Sequence, residues 1–578
     1  MKVSAYCNPL NLNYRYQLMK ATAQVRAFRE AADPSVVAFK GRYYLFASMS
    51  GGFWTSGDLL KWDYHESSGL PVHDYAPDVR VIGDYLYFCA SKRTKKCTIY
   101  RTRDPLAAPF EAVSRPFAFW DPNLFEDDDG RVYFYWGCSN QTPVYGVEMD
   151  PERMTPIGQK QGLIFDCSGD HGFERTGEEH VLAKPKSFGQ KLMRAAFGTA
   201  PYIEGAWMTK HGGRYYLQYA APGTEYNVYA DGVYVGDHPL GPFAYAKNNP
   251  FSYKPGGFIQ GAGHGSTLED RFGNLWHVSS MRISVNHSFE RRIGLFPAGF
   301  DHEGELFCNQ RYADWPQAVP QARFDPWNEP EWMLLSYSKQ ATASSHTDGH
   351  APKMAADEDA RTCWQAASAG PGEWLMLDLG KAMDVHAVQV NFADSGTSAA
   401  LPKDAVVDGQ FPMKRYIEQR PLFTRWLLET SVDSETFETL CDKRDAQTDL
   451  PHDLAVPDNA VKARYVRLTI TELPYGQKAA VSGLRVFGKG DGEPPEQTAD
   501  VTAKRTGPLD MTVRWQKSGA VGYSVLWGYA PDKLYHSRTV FGAEHAQIGA
   551  LNKGQACCVR VDVFNEAGIT HGAVVYPD

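Results

Sequence analysis

Between residues 33 and about 317, apolar and polar positions alternate in short runs, and almost no stretch repeats with a helical period. The runs at 42–48, 85–91, 131–137, 214–220 and 274–280 are rich in aromatic and aliphatic residues, and Gly, Asp, Asn and Pro separate them. Five such units at a blade-like period predict a five-bladed β-propeller, in which each four-stranded sheet packs on its neighbours and the ring hides most edges. The five runs are read as the inner strands, with outer-strand material at 105–110 and 239–243. A Pro-rich stretch at 316–330 reads as a linker. Alternating segments beyond it, at 374–379, 385–392, 426–431 and 463–470, fit an antiparallel sandwich. A second linker at 490–495 precedes short strands at sandwich spacing. The expected fold class is all-β: a propeller over 1–317, then two β-sandwich modules at 331–489 and 496–578.

Composition narrows the partners. A chain of 578 residues is too long for one core. Aromatics make up 13%, which suits both β-sheets and the stacking of sugar rings. The net charge of −9 without a long basic run argues against nucleic acid and an anionic membrane surface. Ten cysteines lack metal-ligand spacing. The N-terminus lacks the apolar run of a signal peptide, and no stretch approaches the length of a membrane span. A cytoplasmic, bacterial-type protein with free thiols is expected. Its oligomeric state is not legible.

Three acidic residues stand at matching places in three units. Asp33 lies in Ala32-Asp33-Pro34-Ser35, Asp121 in Trp120-Asp121-Pro122-Asn123, and Glu204 in Ile203-Glu204-Gly205-Ala206. Each precedes, after a spacer, a Gly-containing turn and an aromatic strand, so a propeller can bring all three to one axis. Asp-Pro alone is an ordinary turn former; the joint pattern is what carries weight. Facing carboxyl groups of this kind are what glycoside hydrolysis needs. Asp78 holds a similar place in the second unit and is a candidate for the pocket floor or for a turn cap. Phe53, Trp54, Trp120 and Trp207 are candidate sugar-stacking surfaces, although propeller cores also need tryptophan.

The ordered motifs over 33–316 resemble glycoside hydrolase family 43. Asp33 lies in what looks like that family's general-base motif. Phe119-Trp120-Asp121-Pro122-Asn123 looks like the segment with its third acidic residue, and Ile203-Glu204-Gly205-Ala206 like its general-acid motif. Gly263-His264-Gly265-Ser266 looks like its axial histidine, which the resemblance gives as a contact to water or calcium. Glu290-Arg291-Arg292 resembles its late substrate-binding arginine; adjacent strand residues point to opposite faces, so at most one of the two arginines faces the pocket. Residues 331–489 are similar to a discoidin-type (F5/8 type C) module. There Asp357, Asp359 and Thr362 are candidate ligands of a structural Ca2+, or plain loop residues. Residues 496–578 are similar to fibronectin type III, with Trp515 as core tryptophan and Cys557 where the corner tyrosine usually stands.

The resemblance implies an inverting, exo-acting glycosidase that releases a pentose, β-D-xylose or α-L-arabinofuranose, from plant-derived oligosaccharides. Asp33 would be the base, Glu204 the acid, and Asp121 the group that keeps Glu204 protonated. No cofactor is required for the chemistry. An exo-galactosidase on the same scaffold and a catalytically silent sugar-binding protein are the rival readings. The insertion at 395–419 is atypical for a discoidin-type module and is read as either a surface loop or a contributor to the active-site rim.

Overall fold

The computed structural model describes residues 4–20, 25–71, 75–92, 95–319, 321–403, 405–408 and 413–578. It is overwhelmingly β, as the alternation predicts. Five four-stranded antiparallel sheets follow one another. They begin with Ser35–Phe39, Tyr75–Ile82, Pro122–Glu126, Glu204–His211 and Gln260–Glu269. Each of these first strands lies beside the first strand of the next sheet, and Gln260–Glu269 lies beside Ser35–Phe39.

This arrangement corrects the strand assignment. The aromatic runs are the second strands: Arg42–Phe46, Tyr85–Ser91, Val132–Trp136, Arg214–Ala221 and Leu275–Arg282. What reads as a spacer is itself the innermost strand. Asp33-Pro34 and Asp121-Pro122, which read as turns, hide two of these strands, and the glycines of Gln260–Glu269 hide a third. The aromatic second strands fill the interfaces between sheets, as with Phe46 and Phe88, whose ring centroids are 5.5 Å apart.

One helix, Phe188–Phe197, breaks the all-strand expectation. Ser187 caps it by accepting from Gln190 N (3.2 Å), and Gly198 ends it with φ of 78°. The run Lys191-Leu192-Met193-Arg194-Ala195-Ala196 consists of good helix formers.

The C-terminal half forms a nine-stranded sheet system over 333–489, with Glu373–Phe392 paired to Val461–Glu472 and to Ala480–Lys489. Two smaller sheets follow, one from Thr502–Arg505, Met511–Arg514 and His545–Ile548, the other centred on Gly522–Gly528 and Cys558–Phe564. Trp515 is buried among them. A further sheet joins distant parts of the chain: the hairpin Arg15–Lys20/Val25–Glu30 pairs with Met413–Ile417 and, through it, Val406–Asp408. Part of the 395–419 insertion is therefore a strand on the N-terminal hairpin; its residues 404 and 409–412 lie outside the described residues. All ten cysteines are free. Among the described residues no helix is long and apolar enough to cross a membrane.

Candidate active site

Each first strand bends where it reaches the centre. Asp33, Ala76, Asp121, Gly205 and His264 all have φ between 47° and 63°. Asp and His tolerate this left-handed conformation better than most residues, and glycine pays nothing for it. At Gly205 the smallness also matters, because a Cβ there would meet the His264 ring at 2.8 Å. The bends turn Asp33, Asp121, Glu204 and His264 toward one cavity of about 420 Å³, which Arg291 also lines.

A repeated device fixes these bends. A small hydroxyl or thiol residue ending or just following a second strand bonds the start of the next sheet. Ser48 Oγ accepts from Ala76 N (2.7 Å), Ser91 Oγ from Asp121 N (3.3 Å), and Ser280 Oγ from Asp33 N (2.8 Å). Cys138 Sγ donates to Glu204 Oε2 at 3.0 Å.

His264 stands between the carboxyl groups. Its Nδ1 is 3.5 Å from Asp33 Oδ1 and 3.9 Å from Asp121 Oδ2. Asp231 holds its backbone, accepting from His264 N (2.6 Å) and Gly265 N (3.0 Å), and also binds His277 Nε2 (2.9 Å). Burial alone would lower the His264 pKa, but Asp33, Asp121, Glu204 and Asp231 raise it.

The carboxyl groups are driven apart. Burial pushes Asp33 up, yet Arg291, His264 and the hydroxyls of Ser48 and Ser280 outweigh it and hold Asp33 below the ordinary range. Arg291 Nη1 lies 3.0 Å from Asp33 Oδ1, and Ser48 Oγ donates to Oδ2 at 2.6 Å. Asp121 moves the other way, well above the ordinary range. Burial is the main cause; His264 opposes it, and Glu204 and Asp33 add like-charge repulsion. Oxygens of Asp121 and Glu204 and the Cys138 sulfur all lie within 4.8 Å of one another. Glu204 Oε1 also accepts from Tyr229 OH at 2.5 Å.

The sequence model of the family described as "Glycosyl hydrolases family 43" matches residues 28–305, and that of "F5/8 type C domain" matches 340–409. A beta-xylosidase of Xylanibacter ruminicola is 31% identical over 256 residues, 37% of this chain and 77% of that protein. A xylosidase/arabinosidase 43A of Humicola insolens is 30% identical over 264 residues, 37% of this chain and 78% of that protein. The chain belongs to glycosyl hydrolase family 43. A solved structure titled "Glycoside hydrolase" aligns over 79% of this chain and 97% of its own, at 17% identity and a TM-score of 0.44. The protein is accordingly a glycoside hydrolase with an F5/8 type C domain in its C-terminal half.

Of the other candidates in this family 43 chain, Trp120 lines the cavity and Arg291 reaches it. Arg292, on the opposite face of the strand, turns away to His452 (Nε to Nε2, 2.8 Å). Three aromatic assignments are corrected. Phe53 and Trp54 lie on the third strand of the first sheet, both 0% exposed, packed into clusters on either face. Trp207 is buried under the Arg80 guanidinium, 3.5 Å from its ring centroid. None of the three has a face free for a sugar. Asp78 is likewise no pocket floor: it ties the second sheet to the third by accepting from Asn123 Nδ2 (2.9 Å) and Leu124 N (2.7 Å), and burial pushes its carboxyl up to about 6. Asp357, Asp359 and Thr362 sit together in one turn, remote in sequence from the cavity. Thr362 Oγ1 donates to Asp357 Oδ2 (2.7 Å), and burial pushes Asp357 up to about 6.

Sequence reasoning misses Cys138, Tyr229 and Asp231, and also Glu225 and Phe289, which line the cavity, and Glu30, which pairs with Arg291 at 2.9 Å. Cys138 carries a signal: it stands after its aromatic strand as Ser48 stands after its own. Tyr229 and Asp231 do not, since a strand tyrosine and a lone aspartate are common everywhere.

Proposed function

We propose that this family 43 enzyme is exo-acting and inverting, and that it releases β-D-xylose or α-L-arabinofuranose from short oligosaccharides. Asp33 takes a proton from a water whose oxygen attacks the anomeric carbon. The glycosidic C–O bond breaks with its electron pair going to the leaving oxygen, which takes a proton from Glu204. Asp121 shares and replenishes that proton and orients Glu204. The observation that carries this reading is the opposed tuning of two carboxyl groups around one cavity: Arg291 and His264 hold Asp33 below the ordinary range, while burial beside Glu204 and Asp33 holds Asp121 above it. Inversion needs a base and an acid facing across one sugar. A cavity of about 420 Å³ has the size of a small-molecule site, which supports exo action. The names of the two relatives support a pentose. Arg291, Trp120 and His264 contact the substrate in this reading.

The cyclic adjacency of the five sheets supports a five-bladed propeller over 1–317, followed by sandwich modules at 331–489 and 496–578, the last of fibronectin type III kind. No cofactor enters the chemistry. The oxygens of Asp357, Asp359 and Thr362 suit a hard cation, and a calcium-dependent rise in melting temperature that chelation reverses would support a structural Ca2+ there.

The test is hydrolysis of a panel of 4-nitrophenyl glycosides by the wild type, Asp33→Asn and Glu204→Gln, with proton NMR of the first product. Release from a xyloside or arabinofuranoside by the wild type alone, with inverted product, is the expected result. Release from a galactoside only would replace the pentose. Silence on every glycoside with sugar binding retained in calorimetry would favour a binding protein.

A further inference from the structure

Asp33 is held from behind by a chain of buried charges that begins in the C-terminal half of the protein. Arg291 donates from Nη1 to Asp33 Oδ1 (3.0 Å) and from Nη2 to Glu30 Oε1 (2.9 Å). The second oxygen of Glu30, Oε2, meets Arg415 Nη1 at 3.4 Å. All four side chains are buried. The order Arg415–Glu30–Arg291–Asp33 alternates in sign from end to end.

Strand register fixes this contact. Met413–Ile417 pairs with Arg15–Lys20, placing Arg415 opposite Met19, and Arg15–Lys20 pairs in turn with Val25–Glu30. Flanking bonds lock the register: Glu418 N donates to Tyr16 O (2.9 Å), and Arg15 Nε donates to Glu418 O (2.7 Å). Along the strand Lys414 is exposed while Arg415 and Ile417 are buried, the alternation of a strand with one face inward. Arg415 also lies 5.7 Å from the ring centroid of Tyr75, which lines the cavity.

A buried carboxylate between two guanidinium groups has its charge divided between them. With one removed, it draws the other more strongly, since an uncompensated buried charge is costly. Glu30 without Arg415 would pull Arg291 away from Asp33. We propose that Arg415 is a positioning residue for hydrolysis: acting through Glu30, it keeps Arg291 against Asp33, and the segment around 413–420 completes the active site from outside the propeller-forming residues. The proposal rests on Asp33 as the base. It makes the C-terminal half a working part of the catalytic centre, joined to it by strand pairing and ion pairs together.

The experiment compares full-length wild type, Arg415→Met, Arg415→Lys, Glu30→Gln and the double variant Arg415→Met/Glu30→Gln on the best glycoside of the panel. Arg415→Met is expected to lower kcat on the order of tenfold, the scale of a lost charged hydrogen bond, with KM within about twofold. Arg415→Lys recovers most of the loss. In the Glu30→Gln background the Arg415 substitution adds little to the loss in kcat, because the carboxylate through which it acts on Arg291 has lost its charge. An Arg415→Met enzyme that melts and turns over like the wild type overturns the proposal, as do losses that simply multiply in the double variant. Should Arg415→Met fail to fold, Arg415→Gln carries the test: a lowered kcat at unchanged KM that the Glu30→Gln background restores supports it, and an unchanged kcat overturns it. Asp33→Asn separates the two levels. If that variant remains active, the base assignment falls and this inference with it; if it is inert while Arg415→Met is normal, only the inference falls.

Discussion

Two buried clusters of charge in this chain use the same ingredients and come to opposite ends. Between the N-terminal strands and the 331–489 region, Arg485 gives two bonds to Glu358 (2.9 and 2.7 Å), one to Gln389 Oε1 (2.9 Å) and one to the Asp314 carbonyl. Lys254 pairs with Asp314 at 3.0 Å. Two cations face two carboxylates; burial pushes Asp314 up, but Lys254 and Arg485 hold it below its ordinary range. Around the cavity, by contrast, Asp33, Asp121 and Glu204 share one guanidinium and one imidazole, beside open volume. A matched cluster without space fixes one domain against another. An unmatched cluster beside space keeps a proton available and leaves room for a substrate to use it.

The largest effect should come from removing either pole of the unmatched cluster. Asp33→Asn and Glu204→Gln each lower kcat by about 10²–10⁴-fold, the range of general acid–base catalysis. The melting temperature should hold for Glu204→Gln, which opens no cavity, and fall modestly for Asp33→Asn, which gives up the ion pair with Arg291 that stabilises the folded chain above the ordinary carboxylate pKa. Initial rates beside thermal unfolding check both halves of the statement. Loss of activity together with loss of folding would erase the contrast between the clusters.

Next in size is the matched cluster. Arg485→Met leaves Glu358 buried without its cation, a change that typically costs about 3–5 kcal/mol. Urea unfolding should show that loss, while kcat per folded molecule at moderate temperature stays close to wild type. A variant as stable as the parent would mean that the cluster is not what holds these regions together.

Much of this contrast is legible in the amino-acid sequence alone. The three carboxyl groups stand out because they recur at fixed places ahead of aromatic strands, a signal that survives without contacts, whereas His264 and Arg291 stand out only through their resemblance to the family's motifs. The innermost strands are hidden because Ser35–Phe39 and Pro122–Glu126 are short and follow Asp-Pro, which reads as a turn. Phe53, Trp54 and Trp207 mislead because a tryptophan or phenylalanine looks the same in a sequence whether it covers a sugar or a neighbouring sheet. Glu30 and Arg415 are invisible for a plainer reason: they lie 385 positions apart, and only strand pairing brings them together.

Asp121 links stability to the site, and its expected effect is smaller. Its raised pKa means that the folded chain holds a proton the unfolded chain has already released. That contribution is present below the ordinary carboxylate pKa and is lost as pH rises through the raised value. Asp121→Asn removes the dependence. It should lift the melting midpoint at pH 8 by on the order of 2 °C, with little gain at pH 4, while lowering kcat roughly 10–100-fold. Melting curves across pH test the sign: a variant less stable at pH 8 would place the retained proton elsewhere.

Cys138 is the finest probe of the difference. In the matched cluster each carboxylate is held by a cation, whereas at the cavity a neutral thiol donates to Glu204. Burial first, then Asp121 and Glu204, push the thiol pKa well above its usual value, so it stays protonated and can donate to Glu204. Cys138→Ser keeps a donor of similar size, as Ser48, Ser91 and Ser280 do at the equivalent places, and kcat should stay within about threefold of wild type. Cys138→Ala removes the donor, and a loss of roughly fivefold to tenfold is expected, the value of about one hydrogen bond. The order Cys, Ser, then Ala in kcat at constant KM is the signature of a donor that orients the acid. Equal activity of the Ser and Ala variants would reduce Cys138 to a small residue filling its place beside the strand.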